Sequence, residues 1–125
     1  MKLDRYSARA RLAVATLALA LAAPAQASVD CTGTVTNLSL QLDTSGTVTL
    51  SLSGGPSNTY LCNLAAGSMR NGVAPDVCKA MYATLMAAKT TGKRVLIRFD
   101  SYNSCAAVPA WDSAGALSWT QVLLD

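Results

Sequence analysis

Residues 34–53 have the sequence TVTNLSLQLDTSGTVTLSLS, which contains the strongest strand pattern in the chain. Apolar and polar residues alternate strictly over residues 47–53, which is typical of a strand with one buried face. The preceding segment, 34–42, carries its leucines on one face, but Val35 is out of phase, which predicts a bulge near residues 36–37. Because a turn sequence, Asp-Thr-Ser-Gly, separates the two segments, the stretch predicts a β-hairpin.

Alternating and helical patterns continue after the hairpin. A helix is predicted from about Pro75, which suits the first helical position, to about Thr90, with Gly92 at its exit. Val77 and Leu85 fall on the same side of this helix, which predicts that both face the core. The remaining predicted elements are a short third strand, a fourth strand, a long loop and a last strand, at residues 59–64, 93–99, 100–115 and 117–124.

The order of elements is strand, strand, strand, helix, strand, strand, so the fold is predicted to be mainly β with one helix. This is the order of the OB-fold, a five-stranded Greek-key barrel. In that barrel the first and fourth strands are antiparallel neighbours, which brings Cys31, before the first strand, close to Cys105, after the fourth. Cys62 in the third strand lies above Cys78 in the first helical turn. Of the three pairings that four cysteines allow, the strand order therefore favours 31–105 with 62–78.

The N-terminal segment predicts export. Residues 1–27 combine a basic start, an apolar run and a small-x-small motif ending at Ala27, which indicates a signal peptide and a single mature domain, 28–125. The apolar run is shorter than the roughly twenty residues of a membrane span, so no span is predicted in the mature chain. We therefore expect a secreted or periplasmic protein, in which the cysteines form disulfides. Without a C-x-x-C motif, disulfides are favoured over a zinc site.

The charge balance argues against nucleic acid as a partner. The chain has ten basic and seven acidic residues, a formal net charge of +3. Four of those basic residues and one acidic residue lie in residues 1–27, which leaves six of each in the mature domain. Because the excess positive charge belongs to the predicted leader, the mature surface is neutral overall, and no nucleic-acid binding is predicted.

A segment of the mature chain resembles a known family. The helical sequence MYATL, at 81–85, leads into the Gly-x-x-Val strand TGKRVLI, at 91–97, after a third strand that carries a cysteine. Together with export and the strand order, this resembles the B subunits of pentameric bacterial toxins of the cholera and subtilase cytotoxin type. The resemblance implies an OB-fold, a homo-oligomer whose helices line a pore, and glycan binding on the outer barrel surface. It assigns no sugar-binding residue here, and the chain lacks a cysteine-rich C-terminal tail.

The composition argues against catalysis. The chain contains no histidine and no glutamate, and oxidised cysteines provide no thiolate nucleophile. Asp100 and Asp112 flank one loop and could act as an acid–base pair or bind a cation, but turn and solubility roles are favoured. We therefore predict that the protein is not an enzyme and has no cofactor and no metal site.

Aromatic residues are the better candidates for binding. Trp111 and Tyr102 lie in the long loop 100–115, with polar support expected from Asp100 and Asn103. Loops at this end of an OB barrel bind oligosaccharides in other proteins. The predicted ligand site therefore consists of these four residues, although Trp111 could instead plug the open end of the barrel.

Two weaker surfaces remain in the sequence. Tyr82 and Met86 lie four residues apart on the helix and form an apolar patch, which could be an assembly surface or could cover neighbouring loops. Arg94 and Arg98 share one face of the fourth strand and could contact an anionic ligand, but a solvated strand face is favoured.

The sequence thus predicts an exported, non-catalytic binding domain for a glycan or a protein partner, similar to a toxin B subunit. Two alternatives belong to other classes. One is a periplasmic inhibitor of a hydrolase, which would present the loop 100–115 to the enzyme. The other is a structural or accessory component of an envelope assembly. A pentamer would favour the toxin-like interpretation, and a monomer would favour the inhibitor.

Overall fold

The computed structural model of the protein describes residues 27–122, apart from the side chains of Trp119 and Val122. The predicted signal peptide therefore lies outside the described residues except for Ala27. The elements follow the predicted order, and the fold is mainly β with one α-helix. In chain order they are β1 (Val29–Leu40), β2 (Thr47–Leu52), β3 (Thr59–Asn63), α1 (Pro75–Thr91), β4 (Arg94–Phe99), a short 3₁₀ helix (Cys105–Ala107) and β5 (Leu117–Val122).

The predicted hairpin is formed by β1 and β2, and its bulge falls between Val35 and Asn37, as expected. However, β1 begins at Val29, five residues before the predicted start at Thr34. The inward positions of this early part are Cys31 and Gly33 rather than large aliphatic residues, so the alternation that marks a strand is absent there. These early residues form a strand because they pair with β4.

The five strands form one antiparallel sheet in the order β3-β2-β1-β4-β5. The long β1 pairs with β2 through its C-terminal half and with β4 through its N-terminal half. The predicted closed barrel is not confirmed, because β3 and β5 lie at opposite edges and no ladder joins them within the described range. A single parallel bridge, Tyr60 to Ser113, links β3 to the loop before β5.

Helix α1 covers one face of the sheet and begins and ends where its sequence predicts. Pro75 starts the helix, and Gly92 ends it in the left-handed conformation (φ 70°), donating its N–H to the Ala88 carbonyl. Leu85 is fully buried against the sheet, but Val77, predicted to face the core, is 52% exposed. Among the described residues, no helix is long and apolar enough to cross a membrane.

Two disulfides connect the elements in the pairing that the strand order predicts. Cys31 in β1 is bonded to Cys105, with 5.6 Å between their Cα atoms. Cys62 in β3 is bonded to Cys78 in α1, with 5.7 Å between their Cα atoms. Such bridges are consistent with an extracellular or periplasmic protein, because they persist in oxidising compartments.

Candidate functional site

The loop between β4 and β5 is fixed at three points. The Cys31–Cys105 disulfide ties its first third to β1. At its base, the Asp100 N–H donates to the Ala116 carbonyl over 2.9 Å. Near its middle, the Trp111 N–H donates to the Asn58 carbonyl over 2.9 Å, which ties the loop to the turn between β2 and β3. A loop held in this way presents its side chains in one arrangement.

Trp111 is the most exposed aromatic side chain that this loop presents. Its side chain is 61% exposed, so the alternative that it plugs the end of a barrel is wrong. Its backbone has φ 57°, in the left-handed region that bulky residues rarely adopt. Strained, exposed conformations of this kind concentrate at functional sites. The exposure and the left-handed backbone are both compatible with a side chain that contacts a partner.

The other three predicted residues have different surroundings. The Asp100 carboxylate accepts a short hydrogen bond from the Ser118 hydroxyl of β5. Tyr102 is half-buried and packs against the core, while Asn103 is exposed. The structure therefore fixes Trp111 to the β2–β3 turn and Asp100 to β5, rather than holding the four residues through shared hydrogen bonds.

The two aspartates that flank the loop also have separate partners. The Asp112 carboxylate accepts the Ser113 N–H over 2.7 Å, and its carbonyl accepts the Tyr60 N–H over 2.9 Å. Asp100 is engaged by Ser118. These contacts support the turn roles that were favoured over an acid–base pair.

A second feature of the site was missed by the sequence analysis. The outward side chains of β1, β2 and β3, with Asn58 from the turn, form a continuous polar surface that we call the polar face. Alternation predicts that this surface is open to solvent, but Thr47, Thr49 and Ser51 of β2 are buried at 2%, 0% and 7% exposure. The residues of the polar face are Asn37, Ser39, Thr47, Thr49, Ser51, Asn58, Tyr60 and Asn63.

Hydrogen bonds organise the end of the polar face near Trp111. The Asn58 N–H donates to the Ser51 hydroxyl over 2.8 Å. The Asn58 side-chain oxygen accepts from the Asn37 amide over 3.1 Å. Asn58 holds this position with φ 49°, a left-handed conformation that asparagine tolerates better than most residues. The same residue therefore orders the polar face and, through its carbonyl, the backbone of Trp111.

The opposite end of the polar face is covered by the loop between β3 and α1. The Thr47 hydroxyl donates to the Asn63 side-chain oxygen over 3.0 Å, and the Asn63 amide donates to the Ser68 hydroxyl over 2.8 Å. Ser68 belongs to this loop, so the loop lies over β2 and β3. This cover explains why outward-pointing threonines are buried.

At the centre of the polar face, Arg70 stacks on Tyr60. The guanidinium carbon lies 5.2 Å from the centroid of the Tyr60 ring, within the range of a cation–π contact. Thr49 is the cross-strand neighbour of Tyr60 on the same face. Two buried polar atoms here, Oγ1 of Thr49 and Nη1 of Arg70, have no hydrogen-bond partner. Such atoms are uncommon in folded proteins.

The outer face of β1 and β4 carries an ion pair instead. Arg98 donates from Nε and Nη2 to the two carboxylate oxygens of Asp30, over 2.6 and 2.7 Å. This hydrogen bonding lowers the pKa of Asp30 below its ordinary value and raises the pKa of Arg98. The pairing supports the interpretation of Arg98 as part of a solvated strand face rather than as a ligand contact.

The helix contributes a groove and no separate apolar patch. Tyr82 and Met86 are half-buried and pack against the core, which supports a covering role for them. A groove of about 430 Å³ lies between α1 and β5, lined in part by Val77, Met81 and Leu117. No pattern in the sequence predicts this groove, because it depends on how α1 lies against β5.

The fixed, exposed Trp111 beside the polar face is the best-formed candidate site in the described residues, because its geometry is set by a disulfide and by backbone hydrogen bonds. No family model, curated protein or solved structure matches the chain at a significant level.

Proposed function

We propose that the protein is an exported, non-catalytic domain that binds a glycan through Trp111 and the adjoining end of the polar face. The observation that carries this proposal is the state of Trp111, which is 61% exposed on a backbone held at φ 57°. Folding alone does not favour this arrangement, since it exposes an indole and strains a bulky residue.

The chemistry around Trp111 suits a sugar. An aromatic ring offers a flat apolar face for the C–H surface of a sugar, and its polar neighbours serve the hydroxyl groups. Asn58, tied directly to the backbone of Trp111, and Asn37 supply amide groups that are only half-buried. Because the disulfide and the backbone hydrogen bonds fix the loop in advance, little conformational freedom is lost on binding.

We further propose that the sheet is part of an OB-like barrel. The element order, the antiparallel order β3-β2-β1-β4-β5 and the parallel Tyr60–Ser113 bridge support an OB-like barrel that the β4–β5 loop completes. In OB-folds the surface of strands 2 and 3 and the loop between strands 4 and 5 bind oligosaccharides. In the proposed barrel, the polar face and Trp111 correspond to these positions. A role like that of a toxin B subunit is part of this proposal, and the mass of the native assembly tests it.

A protein partner is the second candidate, because the same rigidity of the β4–β5 loop suits an inhibitor that inserts a fixed side chain into an enzyme. Exposed aromatic anchors on rigid loops dominate many protein interfaces. Measuring inhibition of secreted hydrolases alongside glycan binding separates the two candidates.

A glycan array with the mature protein tests the proposal, with Trp111→Ala and Leu42→Ala as a matched pair. Both residues are large, apolar and exposed, at 61% and 94%, but Leu42 lies in the β1–β2 loop, away from the proposed site. On the usual scale for such anchors, Trp111→Ala should weaken binding by roughly 2 kcal/mol or more. Its melting temperature should change little, since the side chain is exposed. Leu42→Ala should bind as the parent does.

Two results would contradict the proposal. One is an array on which no glycan binds the parent protein. The other is a glycan that binds Trp111→Ala and the parent equally. Inhibition of a hydrolase that is lost in Trp111→Ala would instead favour the protein partner.

A further inference from the structure

Arg70 is held in place by its neighbours in the chain. Its N–H and carbonyl form a small bridge with Val73, over 3.4 and 2.9 Å. The next residue, Asn71, donates its side-chain amide to the carbonyls of Tyr60 and Leu61, both over 2.8 Å. These hydrogen bonds hold the backbone of Arg70 beside β3, and its side chain lies over the Tyr60 ring.

The charge of Arg70 has no counter-ion in the part of the chain that the structure describes. Its side chain is half-buried, and its Nη1 is buried without an acceptor. Arg98 provides the contrast, because its guanidinium is bound by both oxygens of Asp30. A charged donor that is partly removed from water and left unpaired is costly. An anion bound at the accessible edge of the guanidinium would offset the cost of partly burying its charge.

The shape of the guanidinium specifies the kind of acceptor. Its carbon lies over the Tyr60 ring and its Nη1 is buried, which leaves the edge formed by Nε and Nη2 for an incoming acceptor. A planar fork of this kind matches two oxygens of a carboxylate or sulfate group. Because the site is half-buried, such a pair would be stronger than one on an open surface.

The position of the stack relates it to Trp111. The Trp111 N–H is hydrogen-bonded to the carbonyl of Asn58, the turn residue two positions before Tyr60. The backbones of Trp111 and Tyr60 therefore lie close together at the edge of β3. The carboxylate of Asp112, the nearest acidic residue along this edge, is engaged by the Ser113 N–H.

We propose that Arg70, fixed over Tyr60, binds an oxyanion substituent of the glycan, so that the preferred ligand is an acidic rather than a neutral sugar chain. This inference rests on the proposed function and narrows its ligand class. Trp111 contacts one sugar unit, and Arg70 binds the carboxylate or sulfate group of a neighbouring unit.

Calorimetric titration of the mature protein with three probes tests the inference. The probes are oligogalacturonate, its methyl ester, which keeps the backbone but removes the charge, and a sulfated galactan oligosaccharide. The parent protein should bind at least one charged probe ten times or more as tightly as the methyl ester. Which charged probe binds distinguishes a carboxylate from a sulfate group.

Arg70→Gln and Lys89→Gln form the matched variant pair, because each removes one positive charge and Lys89 is exposed on the far part of α1. Arg70→Gln should abolish the preference for the charged probe, and Lys89→Gln should keep it. If both variants lower binding equally, the attraction is unspecific and the inference is wrong. If Arg70→Gln alters the melting temperature, Arg70→Lys, which keeps the charge but not the fork, should still reduce the preference at least threefold.

The same titrations separate this inference from the proposed function. If Trp111→Ala abolishes binding while Arg70→Gln keeps the preference for charge, the glycan site stands and the anion subsite is wrong. If Arg70→Gln abolishes binding while Trp111→Ala does not, the proposed role of Trp111 is wrong. If the parent binds neither these probes nor any array glycan, both proposals fail.

Discussion

The two halves of the sheet share β1 but treat their outer faces differently. Over β2 and β3 the outward side chains are neutral and largely buried, and Thr47, for example, is hydrogen-bonded to Asn63. Over β1 and β4 the outward side chains include the ion pair of Asp30 and Arg98, whose side chains are each 38% exposed. Each half also has its own disulfide, Cys62–Cys78 in the first and Cys31–Cys105 in the second.

This contrast shows that alternation in a sequence specifies the direction of a side chain but not its burial. Thr49 and Arg98 both occupy outward positions of an alternating strand, and both do point outward. Only the first is covered, because the loop between β3 and α1 places Ser68 and Arg70 over β2 and β3. The polar face keeps a fixed shape because it is covered and hydrogen-bonded. The exposed ion pair of Asp30 and Arg98 is not held in this way.

The largest expected effects come from removing the disulfides one at a time, by paired Cys→Ala substitutions. The Cys31–Cys105 bridge spans 74 residues and the Cys62–Cys78 bridge spans 16. Loop-closure entropy predicts losses in the free energy of unfolding of about 4 and about 3 kcal/mol, respectively. Urea unfolding of both variants measures the difference. If removal of the Cys62–Cys78 bridge lowers the free energy of unfolding more, this bridge stabilises the β2–β3 half by more than its effect on chain entropy.

The next effect concerns Asn58, which organises the polar face. Asn58→Ala removes the side-chain bonds to Asn37 and Ser51 and places alanine at φ 49°. We expect a loss in the free energy of unfolding of about 2–3 kcal/mol. Asn58→Gly removes the same bonds without the conformational strain, so it should lose about 1 kcal/mol less. Equal losses in thermal unfolding would mean that backbone strain contributes nothing at this turn.

A smaller contrast lies within β2 itself. Thr47→Val leaves the buried side-chain oxygen of Asn63 without its donor, so a loss of about 1–2 kcal/mol is expected. Thr49→Val removes a buried hydroxyl that has no partner, so stability should stay constant or rise. Denaturant midpoints of the two variants test this directly. A destabilised Thr49→Val would show that this hydroxyl does have a partner in solution.

These contrasts also show which features the sequence predicts and which it does not. Local signals predicted the hairpin with its bulge at Val35, the helix ends at Pro75 and Gly92, and the disulfide pairs. Each depends on turn chemistry, on periodicity or on strand order. The stack of Arg70 on Tyr60 and the burial of the β2 threonines depend on the path of a loop that has no periodic pattern, so neither was predicted.

At the candidate site, the sequence led to the prediction of Trp111 as a ligand contact but did not indicate its structural setting. The exposure of Trp111 depends on a left-handed backbone and on a hydrogen bond to Asn58, and neither has a signature at that position in the sequence. Tyr102 is half-buried and packs against the core, and its contact with a ligand stays a prediction. An aromatic residue in a loop is equally compatible with both outcomes until the packing of the loop is known.

The smallest effect is expected at the exposed ion pair. In the folded protein the pKa of Asp30 is lowered by its hydrogen bond to Arg98. Its stabilising contribution is therefore complete above the ordinary pKa of an aspartate and is lost as the pH falls through the lowered value. Asp30→Asn should remove this contribution, so parent and variant should converge in stability at low pH and in high salt. A difference between them that persists in high salt would indicate a role for Asp30 beyond charge.

The edge of β3 has a consequence for solubility. An uncovered edge strand is a template on which another chain can add a strand, which leads to aggregation. Here Asn71 donates to the carbonyls of Tyr60 and Leu61, and the β4–β5 loop occupies the backbone N–H and carbonyl of Tyr60. The contacts that position Arg70 and Trp111 therefore also block edge-to-edge association. Asn71 thus helps to close this edge of β3 to the strands of other chains.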